Sequence, residues 1–247
     1  SGDGKQLAAG TRFGRVRCWQ LGVPEASREY TVFEDTETVH ALAFSPDNRR
    51  LFASSPTAVK CVLLDAGASG GKPLELGRSG RGRFAAGVRW LVTFGDDGPE
   101  VRDALKPETP LPLRLPPCIE PAFSPDGERL AAVETRNDEN GRVAIYDAAT
   151  GVRIRRLAEP HGGLAVQTRP DPLLTISPDG SLVFGHDDEG RVYAWDAASG
   201  QLLLTALLDE FRMGRYAVDP RGRYLAFGGR GKASLVPVSR RSVVREV

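Results

Sequence analysis

Phe123-Ser124-Pro125-Asp126-Gly127 recurs along the chain, as Phe44-Ser45-Pro46-Asp47-Asn48 and as Ile176-Ser177-Pro178-Asp179-Gly180. Each copy has the chemistry of a tight turn. Pro presets φ for the second position of a type I turn, Asp suits the next place, and Gly closes it. Short apolar runs flank the turn, Ala41 to Phe44 before one copy and Leu51 to Ala53 after it, so the unit reads as a β-hairpin.

Working outward, weaker copies stand at Val218-Asp219-Pro220-Arg221-Gly222, at Phe84-Ala85-Ala86-Gly87-Val88 and at the start of the chain, Ser1-Gly2-Asp3-Gly4. The third turn position falls at 3, 47, 87, 126, 179 and 221, in steps of 44, 40, 39, 53 and 42 residues. Four residues after each lies Leu7, Leu51, Leu91, Leu130, Val183 or Leu225, which marks a shared core slot. The long step holds an insert around Glu159-Pro160-His161-Gly162-Gly163. A period of about 40–45 residues is that of a four-stranded propeller blade.

The rest of each repeat fits. Third strands are expected at Val16 to Trp19, Val143 to Tyr146 and Val192 to Trp195. Two of them run into Asp147-Ala148-Ala149-Thr150-Gly151 and Asp196-Ala197-Ala198-Ser199-Gly200, where Asp accepts from backbone amides two residues on and Gly takes positive φ. Fourth strands follow at Val152 to Leu157 and Gln201 to Leu207. Trp195-Asp196 resembles the Trp-Asp dipeptide of the WD-repeat family, and Trp19-Gln20, Leu64-Asp65 and Tyr146-Asp147 resemble relaxed copies of it. The family's Gly-His is missing, since the stretch before Val39 reads Glu34-Asp35, so the Ser/His/Asp/Trp network of that family is not expected to form fully.

The fold expected is all-β: a β-propeller of four-stranded antiparallel blades, with about six repeats visible in residues 1–247, part of a seven-bladed ring. Ser1 falls inside the first turn, so the first blade is expected to lack its inner strand and the chain to be a fragment of a longer one. An outer strand is expected over Arg241 to Val247. Lys106 to Cys118, with five prolines, reads as an edge strand or extended connector, because Pro donates nothing to a ladder.

Composition excludes several functions. Charged residues make up 26% of the chain and nearly cancel, leaving a formal charge of +1, so no field of one sign gathers nucleic acid or an anionic membrane. No apolar run reaches the ~18 residues of a membrane span. Cys18, Cys61 and Cys118 are far apart and read as buried free thiols, which fits a reducing, cytoplasmic setting. No metal or cofactor is expected. The acidic turns Asp96-Asp97-Gly98, Asp138-Glu139-Asn140-Gly141 and His186-Asp187-Asp188-Glu189 lack the alternating spacing of an EF-hand and read as solvated caps. Adjacent residues in such a turn do not converge as a catalytic triad. Gly10 to Gly14 has no Lys-Ser/Thr and no helix after it, hence no phosphate loop. Trp19, Trp90 and Trp195 read as core aromatics.

The function expected is therefore a non-catalytic scaffold for a protein or peptide partner. The family resemblance implies docking on the face made by loops that join second to third strands and outer to next inner strands. On that face would lie Arg12, Phe13, Asp97, Arg136, Asn137, His186, Asp187 and Arg230. The alternative is a propeller enzyme, or a periplasmic propeller resembling the TolB family, with a channel site near His40, Glu120, Arg215 and Tyr216.

Overall fold

The computed structural model describes residues 1–23, 26–64, 71–78, 85–86, 89–95, 98–113, 115–134, 141–159, 174–186, 191–207, 215–219, 223–229 and 232–238. Every regular element among them is a β-strand, and every strand pairing is antiparallel. The chain divides into two compact units, Ser1–Arg114 and Leu115–Val247.

The first unit begins with a three-stranded sheet of β1 (Gln6–Gly10), β2 (Arg15–Gln20) and β3 (Ser27–Thr31). Its leading strand is the one that follows the turn. The second sheet holds β4 (Ala41–Phe44), β5 (Arg50–Ser54), β6 (Ala58–Leu63), β7 (Leu74–Arg78), β8 (Ala85–Ala86), β9 (Trp90–Gly95), β10 (Gly98–Asp103) and β11 (Lys106–Pro110). Here the structure differs from the four-stranded expectation, because two repeats are joined into one eight-stranded ladder. The join is a single bridge, Arg78 to Phe94. Gly77 makes it possible: its φ is +142°, and a Cβ there would stand 3.1 Å from the Phe94 carbonyl oxygen.

The proline-rich segment supplies β11, an edge strand paired with β10 alone. Arg102, 6% exposed, fixes it from beneath. Its guanidinium donates to the Thr93 hydroxyl at 3.0 Å, the Pro107 carbonyl at 2.9 Å and the Glu100 carboxylate at 2.6 Å.

The second unit contains two four-stranded sheets. One holds β12 (Cys118–Phe123), β13 (Arg129–Glu134), β14 (Arg142–Asp147) and β15 (Arg153–Arg156); the other holds β16 (Leu174–Ile176), β17 (Leu182–His186), β18 (Arg191–Asp196) and β19 (Leu202–Leu207). A three-stranded sheet of β20 (Arg215–Val218), β21 (Tyr224–Gly229) and β22 (Lys232–Pro237) completes the described part. The expected strand over Arg241 to Val247 lies outside the described residues.

The repeated turn has one construction in four copies. Ser45 Oγ donates to Asp47 Oδ1 at 2.5 Å and accepts from the Arg50 amide at 2.9 Å, while the Asp47 carboxylate accepts from the Arg49 amide at 3.1 Å. Ser124 with Asp126, Ser177 with Asp179 and Ser1 with Asp3 repeat these bonds. The fourth residue is left-handed each time, with φ of 56° at Asn48, 74° at Gly127, 69° at Gly180 and 68° at Gly4. In the weaker copy Asp219 occupies the Ser place, and its carboxylate accepts from the Arg223 and Tyr224 amides.

Of the six aligned aliphatics, Leu51, Leu91, Leu130, Val183 and Leu225 are fully buried, whereas Leu7 is 53% exposed. The expectation of a shared core slot fails at Leu7, which lines an open groove with Trp19, Leu21 and Val23. Leu51 packs on Val16 and Tyr30 of the first sheet, Val183 on Val133 and Val143, and Leu225 on Phe184 and Ala194. Trp19, directly opposite Leu7, is only partly buried, while Trp90 and Trp195 are core residues as expected.

Candidate interaction surface

Arg12 and Phe13 lie on the turn between β1 and β2, and the sequence around them dictates a rigid turn. Thr11 accepts at its hydroxyl from the Phe13 amide at 3.1 Å and the Arg15 amide at 3.2 Å. Its own amide donates to the Arg15 carbonyl at 2.9 Å. Gly14 has φ +65°, and a Cβ there would stand 2.4 Å from the Glu34 carbonyl oxygen, so glycine alone fits.

That close approach joins this turn to the loop between β3 and β4. The Gly14 amide donates to the Glu37 carbonyl at 2.7 Å, the Gly14 carbonyl accepts from Val32 and Phe33 at 2.9 Å each, and the Val39 amide donates to the Thr11 carbonyl at 3.0 Å. A third loop touches the same place, since Thr57 Oγ1 donates to Glu37 Oε1 at 2.6 Å. Arg15 pairs with Glu29 at 3.1 Å and with Asp35 at 3.7 Å, and these partners, Glu29 foremost, raise its pKa. The outcome is a braced turn that presents Arg12 and Phe13 to solvent, with Phe13 58% exposed.

Glu37 and Thr57 escaped the sequence reading, and Glu34 and Asp35 entered it only as the place of the missing Gly-His. The signal that finds them is Gly14, a glycine between strands whose conformation demands a close backbone partner.

His186 is the last residue of β17, in the second unit, paired across the ladder with Val192. Asp97, Arg136, Asn137, Asp187 and Arg230 lie outside the described residues, as do most of the three acidic turns. Of the channel candidates, His40 is exposed just ahead of β4, and Glu120, Arg215 and Tyr216 fall in β12 and β20. Among the described residues no three His, Cys, Asp or Glu side chains gather as a metal site would require.

The Trp-Asp motif has its own geometry. Asp196 Oδ1 accepts from the Ser199 amide at 2.7 Å and its hydroxyl at 2.8 Å, and Asp147 holds Thr150 likewise, at 2.8 and 2.7 Å. The expected bond from two residues on is present at Asp147, from the Ala149 amide at 3.1 Å, beside the shorter one from three residues on. Trp195 Nε1 donates to the Ala158 carbonyl at 2.8 Å, beyond the end of β15 in the neighbouring sheet. The indole thus serves as a tie between two sheets.

No family model matches the chain. Two uncharacterised WD repeat-containing proteins of Deinococcus radiodurans are each 33% identical to it over 84 residues, which is 33% of this chain and 32% of the relative. Over that third, the chain is similar to WD-repeat proteins. The match spans about a third of the length of these curated relatives. Repeated antiparallel sheets and a Trp-Asp tie between neighbours agree with that likeness.

Proposed function

We propose that this chain is a non-catalytic protein–protein interaction scaffold of the WD-repeat kind, part of a single β-propeller, with a protein or peptide docking on the loop surface around Arg12 and Phe13. One observation carries the reading: an aromatic side chain, 58% exposed, sits beside an arginine on a turn fixed by backbone bonds to a second loop. Aromatic and arginine anchors dominate the energetics of protein interfaces, and a pre-ordered turn spends little entropy on binding. The relatives' WD-repeat names agree with a repeat-type scaffold. The near-neutral charge speaks against nucleic acid as the partner.

The test compares the chain with its Arg12→Ala/Phe13→Ala variant in cross-linked capture from source-cell lysate, followed by purified binding of whatever is enriched. Both side chains are exposed, so the variant should melt as the parent does. A partner retained by the parent and lost by the variant, with affinity reduced at least tenfold, is the expected result. Equal binding by both would overturn this surface as the site.

A further inference from the structure

Thr109 stands in the middle of β11, where the strand leaves its ladder. Lys106 pairs with Asp103 and Pro110 with Arg102, so two adjacent residues of β10 oppose the two ends of β11. Pro107, Glu108 and Thr109 have no residue opposite them and form a bulge, a device that re-aims side chains at a sheet edge. The sequence accounts for it locally, since Pro107 and Pro110 have no N–H to give to β10.

The bulge is held at both ends and from beneath. Before it, the Asp103 carboxylate accepts from the Leu105 amide at 2.8 Å and closes the turn. After it, the Leu111 amide donates to the Val101 carbonyl at 2.7 Å. Between them the buried Arg102 guanidinium donates to the Pro107 carbonyl at 2.9 Å and the Glu108 carbonyl at 3.4 Å, with Glu100 as its counter-ion at 2.6 Å. Taking a charge out of water is costly, and what the charge fixes here is the shape of a bulge at the surface.

The ring of Pro107 is buried, whereas Glu108 and Thr109 are exposed. The Thr109 hydroxyl makes no hydrogen bond among the described residues, and the outer edge of β11 pairs with no described strand. Pro110 restricts Thr109 to extended backbone and offers no N–H after it. Proline thus stands two places before the hydroxyl and directly after it, in Pro107-Glu108-Thr109-Pro110. A protein kinase must bring the acceptor hydroxyl against its catalytic aspartate, which demands an extended segment standing clear of the rest of the substrate. The bulge meets that demand.

We propose that Thr109 is a phosphorylation site for a proline-directed protein kinase, with ATP as the phosphoryl donor. Thr109 Oγ1 attacks the γ-phosphorus; the new P–O bond forms as the bond to the β–γ bridging oxygen breaks, ADP leaves, and the hydroxyl proton passes to the kinase's aspartate. The product displays about two negative charges beside exposed Glu108, on an edge of the first unit.

The test is to incubate the full chain with a mitogen-activated protein kinase and ATP and to map the product by mass spectrometry. One phosphoryl group is expected, on the peptide that contains Thr109. Thr109→Val and Pro110→Ala should each cut incorporation about tenfold or more, while Thr109→Ser keeps it. An unchanged melting temperature shows that each variant is folded. A synthetic peptide of residues 104–113 is the unfolded reference. Labelling of the peptide without labelling of the chain means that the fold withholds Thr109, and overturns the proposal. So does labelling of the chain that Thr109→Val leaves unchanged, and so does failure to label either substrate.

Discussion

A serine hydroxyl that both donates and accepts decides the local geometry of this chain. Ser177 is fully buried, gives its proton to Asp179 at 2.6 Å and receives the Leu182 amide at 2.9 Å, so it ties the start of a turn to the strand beyond it. Removing the hydroxyl leaves a buried amide without its acceptor, which costs about 1–3 kcal/mol. Ser177→Ala should accordingly lower the urea midpoint of the second unit, and Ser177→Asp should lower it further, because a buried carboxylate would then face Asp179 with no proton to give. At Asp219 a carboxylate in the same place accepts the strand's first amides, but the third position of that turn is Arg221 rather than an aspartate. The aspartates of these turns are also tuned. The Ser124 hydroxyl, then the Glu128 amide, hold the Asp126 carboxyl below the usual range. Asp47 is lowered too: burial opposes the shift, and the Ser45 hydroxyl and Arg49 amide outweigh it.

Among elements, β15 adds side-chain ion pairs to its backbone ladder with β14. All four of its residues are exposed, yet Arg153 and Arg156 reach over β14 to Glu134 at 2.9 and 2.8 Å, and the Tyr146 hydroxyl donates to the same carboxylate at 2.6 Å. Burial pushes the Glu134 pKa up, but these three donors prevail and hold it below its ordinary value. A carboxyl depressed in the folded state stabilises fully above its unfolded pKa, about 4.3 for glutamate, and loses that contribution as pH falls through the lower folded value. Acid should therefore lower the melting temperature of the wild type more than that of Glu134→Gln, measured between neutral pH and pH ~3. Strands such as β4, read as Ala41 to Phe44 and found there, were legible because turn chemistry and alternation are local properties of the chain. The joining of β7 to β9 was not, since it depends on a single glycine approaching a distant carbonyl. The loop surface was half legible: Arg12 and Phe13 follow from their place in the repeat, whereas Glu34 and Glu37 join them only through the fold of Gly14.

For the whole molecule, the three thiols report on integrity. Cys61 and Cys118 are buried, and burial pushes each pKa up to about 12, while burial takes partly exposed Cys18 up to about 11. The thiolate is the reactive species, so almost none is present at neutral pH in the folded state. Iodoacetamide should label none of the three at an appreciable rate in native buffer and all of them in urea. Mass mapping then separates the units, with Cys61 timing the opening of Ser1–Arg114 and Cys118 that of Leu115–Val247. Rapid native labelling of Cys118 would contradict the packing described for β12.

The serine turns carry one more consequence, for regulation. Ser45-Pro46, Ser124-Pro125 and Ser177-Pro178 read as acceptor sites for a proline-directed kinase. In the folded chain each hydroxyl is at most 2% exposed and already bonded on both sides. A phosphoryl group there would set about two negative charges against the adjacent aspartate. These sites are therefore closed to phosphorylation in the native protein, and a phosphate found on one of them marks a chain that was modified before it folded.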